Sequence, residues 1–152
     1  MANELSTAGI LLKYAVETTA GTKPTSFTTI PGAKAIPSIN PEPSTLECTD
    51  LSDTVWKRYI AGLKDPGGAI GITANFTSAF KTAWETMYSA YTTAKASGKA
   101  TWFEIAIPTM DSFYFTGEPS ALGFNGAEVD SVLENVGYII TNTIAGFATA
   151  SA

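Results

Sequence analysis

The side chains best suited to acid–base chemistry fall into two short acidic groups. Asp50 and Asp53 bracket one turn, and Glu128, Asp130 and Glu134 cluster near the end of the chain. Two carboxylates can be enough for general acid–base catalysis when their environments separate the acid from the base. Neither group has a cation or a histidine beside it in the sequence, so we interpret both as solvated acidic surface.

Other reactive residue types are scarce. The chain has no histidine and a single cysteine, Cys48, which excludes Ser–His and Cys–His pairs, histidine metal sites and an intrachain disulfide. Residues 50–53 and 125–130 offer oxygen ligands, but neither segment has the spacing of a calcium loop. We therefore predict no catalytic residue, no metal and no cofactor, and expect that the protein is not an enzyme.

Composition favours a protein that other subunits cover. The 152 residues are 45% hydrophobic and only 15% charged, with a net charge of −5, and a weakly charged surface is typical of a subunit interface. Only Lys57 and Arg58 are adjacent basic residues, so no patch is built to clamp phosphates. The length predicts a single domain, 1–152, with one core. No apolar run approaches the roughly 18 residues of a membrane span, so we expect no membrane association.

The clearest local patterns are a strand followed by a helix. Apolar side chains alternate along 69–76, which is the period of a half-buried strand. Thr77 or Ser78 can cap a helix that runs over 78–96, and Gly98 stands where a helix-terminating residue is expected. One face of this helix is apolar and is interpreted as core rather than as a cofactor site; it carries Phe80, Ala83, Trp84, Met87, Tyr88, Tyr91 and Ala94.

The remaining segments predict a mainly β fold. Strand-forming runs occupy 10–17, 101–107, 112–116 and part of 129–144, whereas the tail 145–152 is expected to be weakly ordered. Prolines and glycines break up 18–43, which excludes a helix and predicts a long Pro-rich arm or loop with short extended pieces around 27–30 and 35–39. If exposed, its unpaired backbone could be covered by a neighbouring copy through strand addition. The predicted class is mainly β (α+β): an antiparallel β-sandwich or barrel with one flanking helix.

One stretch of the chain resembles a known family. Residues 45–53 form a Thr-Asp-rich turn, 57–68 contain a Tyr-x-x-Gly-Leu-x-Asp-x-Gly run, and the strand 69–76 follows. This order resembles the major tail tube proteins of long, flexible-tailed (siphovirus-type) bacteriophages. The resemblance implies hexameric rings stacked into a hollow tube that conducts DNA. It also implies that loop residues touch neighbouring subunits or rings, namely Thr49, Asp50, Tyr59, Gly62, Leu63, Asp65 and Gly67.

The resemblance also implies partners and a location. The chain would bind copies of itself, the tape measure protein and the tail terminator and initiator proteins, in a virion tail assembled in the host cytoplasm. DNA would pass through the lumen without specific binding, and the acidic charge agrees with a lumen that repels phosphate. Two alternatives remain open: a monomeric β-sandwich module that binds a carbohydrate or receptor, and a tube subunit like that of type VI secretion systems. Turn chemistry alone also accounts for Asp50 and Gly67.

Overall fold

A computed structural model describes residues 4–151, and this part of the chain confirms the predicted mainly β class. It contains one helix and nine strands. In chain order these are β1 (Leu11–Val16), β2 (Thr28–Ile30), β3 (Ala33–Ala35), β4 (Thr45–Glu47), β5 (Tyr59–Ala61), β6 (Ala69–Asn75), α1 (Ser78–Ala96), β7 (Thr101–Ala106), β8 (Ser112–Pro119) and β9 (Glu134–Ala148).

Seven of the strands form one antiparallel sheet in the order β2-β1-β7-β8-β9-β6-β3. Its two edge strands, β2 and β3, are separated in sequence only by Pro31 and Gly32. Six inter-strand spacings of about 4.8 Å would put the edges of a flat sheet almost 30 Å apart, whereas this short connection reaches about 11 Å. The sheet therefore curls into a half-barrel whose edges approach each other at this turn.

Helix α1 packs one face against the sheet, as the predicted flanking helix, and supplies much of the core. The hydroxyl of Thr77 accepts a hydrogen bond from the Phe80 N–H at 3.2 Å and caps the helix, while Gly98 adopts φ +72° beyond its end. Both predicted ends are confirmed. Phe80, Trp84 and Met87 are fully buried and pack with residues of the surrounding strands, among them Leu12, Ile30, Ile72, Phe103, Phe115 and Ile139.

The two aromatic residues toward the end of the predicted apolar face are less buried than that pattern indicated. Tyr88 is 37% exposed. Tyr91 is half-buried and donates a hydrogen bond from its hydroxyl to Glu118 at 3.2 Å. The core therefore narrows toward the C-terminal half of α1, where Ala94 is the last buried apolar side chain.

Two expectations about irregular segments are corrected. The short extended piece predicted around 27–30 is confirmed as β2, whereas the second one is β3 at 33–35 and not at 35–39. Segment 18–43 is not an exposed arm with an unpaired backbone, because Ile30 is buried in the core opposite Leu12. Pro31 and Gly32 make a turn between two strands, with Gly32 at φ +86°. The tail is also ordered as far as it is described: 145–148 complete β9, and residues 149–151 lie against the sheet. Ala152 lies outside the described residues.

Candidate assembly surface

The element that projects from the half-barrel is a hairpin built from β4 and β5, which form a two-stranded sheet of their own. Leu46 lies opposite Ile60. Two further backbone bonds extend the ladder, from the Gly62 N–H to the Ser44 carbonyl (2.7 Å) and from the Cys48 N–H to the Arg58 carbonyl (2.9 Å). We call residues 44–68 the hairpin arm.

The tip of the hairpin arm is held by an ion cluster around Arg58. Its Nε donates to both carboxylate oxygens of Asp53 at 2.8 and 2.9 Å, and its Nη2 donates to Asp50 at 3.0 Å. The Thr49 hydroxyl accepts from the Arg58 N–H at 2.9 Å. The pKa of Asp50 is lowered mainly by hydrogen bonds from Ser52 and to a lesser extent by the one from Arg58. The pKa of Asp53 is lowered mainly by the hydrogen bond from the backbone N–H of Asp50 and to a lesser extent by the one from Arg58. These bonds therefore fix the conformation of the tip in the single chain, without a partner.

The hairpin arm exposes large apolar side chains over its whole length. Trp56 is 81% exposed and Leu63 is 92% exposed. The full set is Leu46, Leu51, Val55, Trp56, Tyr59, Ile60 and Leu63. An isolated two-stranded hairpin is only marginally stable in water, and many large apolar side chains exposed on one element are characteristic of a protein interaction site. The arm therefore has the properties of a contact surface.

All the residues singled out from the family resemblance lie on this arm. Thr49 and Asp50 belong to the tip, Tyr59 to β5, Gly62 to the base, and Leu63, Asp65 and Gly67 to the returning segment. Gly62 has a local reason for its type, because a Cβ there would lie 2.8 Å from Ser44 Oγ. The Asp65 carboxylate accepts from the Gly67 N–H at 2.9 Å, and Gly67 has φ +100°. Their part in subunit contacts stays a prediction.

Sequence reasoning singled out Tyr59 and Leu63 as contact residues, but not the other large apolar residues of the arm. Leu46, Trp56 and Ile60 are exposed, but an apolar residue in a short extended run is normally assigned to the core. A usable signal was present: the run from Leu51 to Leu63 carries large apolar residues without the alternation of a half-buried strand. A second exposed apolar segment, 121–133, displays Phe124, Val129 and Val132.

A buried carboxylate on the other face of the sheet holds the C-terminal tail. Glu104 is fully buried and accepts hydrogen bonds from the Tyr114 hydroxyl (3.1 Å), the Ser151 N–H (3.1 Å) and the Ser151 hydroxyl (2.5 Å). Burial opposes ionisation of Glu104, but these bonds outweigh it and lower its pKa. Burial and then the neighbouring Glu104 raise the pKa of Tyr114 to about 12. Lys23 Nζ lies 3.4 Å from the centre of the Tyr114 ring. The cluster fastens residues 149–151 to the sheet.

Neither a metal centre nor a membrane helix is found in the described residues. Between residues 4 and 151, no group of three or more cysteine and carboxylate side chains is placed to hold a metal ion. The one helix of that range is not long and apolar enough to cross a membrane.

Comparison with known proteins shows the fold. No protein-family model and no curated protein sequence matches the chain. A solved chain from the anti-feeding prophage baseplate is similar at a TM-score of 0.61 and 9% identity, covering 96% of this chain and 97% of that one. A chain from the tail of an empty gene transfer agent particle with C6 symmetry is similar at a TM-score of 0.59 and 15% identity, covering 95% of this chain and 100% of that one. A chain from the anti-feeding prophage tube-terminating cap is similar at a TM-score of 0.60 and 11% identity, covering 99% of this chain and 95% of that one. Over nearly its whole length, the chain therefore has the fold of chains from the baseplate, tail and cap of phage-tail-like particles.

Proposed function

We propose that this protein is a structural subunit of a phage tail tube, in which six copies close a ring and rings stack into a hollow conduit for DNA. The fold similarity to chains of a C6-symmetric tail, a six-fold symmetrised baseplate and a tube-terminating cap supports this proposal. The resemblance of residues 45–76 to siphovirus-type tail tube proteins supports it independently. The role is structural and involves no catalysis.

The observation that carries the proposal is the exposed hairpin arm. Its apolar side chains, Trp56 and Leu63 among them, are largely exposed to water in the single chain. Contact with another copy would cover this surface and would stabilise a ribbon that is marginal alone. The arm can seat on a different part of the next copy, which makes the contact head-to-tail, and such contacts close rings when the rotation permits.

Charge is consistent with a conduit. The net charge is −5, and an acidic tube wall lets DNA slide because it repels phosphate. In this proposal the other partners are the tape measure protein and the tail terminator and initiator proteins. The protein resides in the virion tail after assembly in the host cytoplasm.

Negative-stain electron microscopy and sedimentation velocity over a rising concentration series test the proposal. Six-fold rings or hollow tubes are the expected result. A particle that remains a monomer at every concentration contradicts the proposal and favours a monomeric binding module. Retention of double-stranded DNA in a gel-shift assay at moderate salt would contradict passage without specific binding.

A further inference from the structure

The last strand of the sheet has an edge that nothing described in the chain covers. β9 is 15 residues long, and β8 pairs with it as far as Ala148. On the opposite side, β6 pairs with it only as far as Ile140, and one more bond joins the Thr141 N–H to the Gly68 carbonyl at 3.0 Å. Residues 142–148 therefore present one unpaired backbone edge within residues 4–151. We call this segment the open edge.

The open edge lacks the usual chemical protection against strand addition. Natural edge strands are blunted by charged side chains or proline, yet residues 135–152 contain no Asp, Glu, Lys, Arg or Pro. Two bulges, at Asn142 and Ala145, twist the strand on the β8 side, but they do not cover its other side. Phe147 stands 61% exposed on this segment. Such an edge is a template for another strand.

We propose that the open edge of one copy receives the β4–β5 hairpin of a second copy as an added strand. This inference rests on the proposed function and names the surface that the hairpin arm occupies. The hairpin is a separate two-stranded sheet, so among the described residues nothing pairs with the outer edge of either of its strands. Main-chain hydrogen bonds are the interaction that two such edges offer each other.

Side-chain chemistry fits the same pairing. The hairpin carries Leu46 and Ile60 opposite each other, and the open edge offers Ile144 and Phe147; apolar cross-strand pairs of this kind stabilise a sheet. The charged residues in or just before the hairpin strands are Glu47 in β4 and Lys57 and Arg58 before β5. Arg58 is already bonded to Asp50 and Asp53, and Glu47 is exposed. The open edge carries no charge that would repel any of these side chains.

Symmetry favours pairing of the hairpin with the open edge over pairing of two open edges or of two hairpins. Pairing of open edge with open edge, or of hairpin with hairpin, uses the same surface on both copies and stops at a dimer. Pairing of hairpin with open edge leaves one hairpin and one open edge free after each addition. A ring can then close with every open edge covered.

Disulfide trapping between differently tagged copies tests the pairing. In a Cys48→Ser background, one copy carries Glu47→Cys or Tyr59→Cys on the hairpin, and the other carries Asn142→Cys or Phe147→Cys on the open edge. Disulfides require Cα atoms within about 7 Å, so under oxidation we expect hairpin-to-edge disulfides in polymers. Ser89→Cys, on the exposed side of α1, is the matched control and is expected to form none with the hairpin.

A second variant measures the effect on assembly. Phe147→Lys places a charge on the open edge at an exposed position, and we expect it to raise the concentration needed for polymerisation about tenfold or more. Met110→Lys, on the turn between β7 and β8, is the control and should leave that concentration unchanged. Polymers that form normally with Phe147→Lys, or that trap no hairpin-to-edge disulfide, overturn this inference and leave the tube proposal standing. A wild-type protein that is monomeric at every concentration overturns both.

Discussion

The indole ring of Trp84 lies directly on the backbone of Gly137. A Cβ at residue 137 would come within 2.4 Å of the Trp84 ring, and the Trp84 Nε1–H donates to the Ser120 carbonyl at 2.8 Å. One side chain of α1 therefore contacts both β9 and the segment that follows β8. This contact joins the helix to the middle of the sheet, and its tightness depends on residue 137 having no side chain.

Gly137→Ala is expected to destabilise the fold by about 1–3 kcal/mol, because the added methyl group must displace a buried ring in a packed core. Urea denaturation followed by tryptophan fluorescence measures the change. Gly123→Ala is the matched control, since a Cβ at residue 123 meets nothing within 4 Å. Equal midpoints for the two variants would show that Trp84 does not pack on Gly137.

Trp84→Ala is expected to cost about 3–5 kcal/mol of stability, as for other large buried aromatic side chains. Trp56→Ala removes the same group from a position that is 81% exposed, so its effect on the monomer should stay within about 0.5 kcal/mol. Thermal or urea unfolding of both variants at low concentration makes the comparison. Similar losses at the two positions would contradict the burial pattern.

Trp56→Ser combined with Leu63→Ser should abolish polymer formation while leaving the unfolding midpoint of the monomer almost unchanged. The physical reason is that these side chains are exposed in the single chain and would lose contacts only in the assembly. Electron microscopy and sedimentation velocity report assembly, and circular dichroism reports folding. Met110→Ser removes an exposed apolar side chain away from the arm and serves as the control. Normal tubes from the double variant would exclude the arm from the interface.

Stability should fall in acid because of Glu104. Its pKa is lowered from the ordinary value of 4.5, so the unfolded chain binds this proton more readily than the folded one. The stabilisation is complete above pH 4.5 and is lost as the pH falls through the lower folded pKa. Melting temperatures measured from pH 7 to pH 3 should therefore drop below about pH 4.5.

Glu104→Gln tests the source of that acid sensitivity. The variant is expected to be about 1–3 kcal/mol less stable at neutral pH, because it disrupts a satisfied buried network, and its stability should vary less with pH. Glu128→Gln changes an exposed acid and should retain the wild-type slope. An unchanged slope in Glu104→Gln would assign the acid sensitivity to other groups.

The local sequence pattern was sufficient to predict those elements in which capping, termination and apolar periodicity indicate the same bounds. The helix 78–96 has a cap at Thr77, a terminating Gly98 and an apolar face centred on Trp84, and the structure has the same bounds. The strand 69–76 was evident from its alternation and is observed as Ala69–Asn75. At these sites the residues that define the element lie within it or within two positions of its ends.

The features that the local sequence pattern did not predict depend on contacts between residues that are far apart in the sequence. Ile30 lies in a proline-broken segment, and its burial depends on Leu12, eighteen positions earlier, and on the core that residues far apart in the sequence form together. Arg58 was not connected with Asp50 and Asp53, because the contact forms across the hairpin. The tail residue Ser151 is ordered by Glu104, which is 47 positions away.

The position of β9 makes closure of the sheet depend on the last of the nine described strands. β9 lies between β6 and β8, so the two parts of the sheet are joined through a strand that leaves the ribosome after all the others. A nascent chain that ends before residue 134 has the other eight strands but cannot bring β6 beside β8. The apolar side chains and the unpaired edges of its strands then stay exposed to water, and chaperones and proteases recognise chains in that state. We therefore expect chains that stop before β9 to be held by chaperones or degraded rather than to join an assembly.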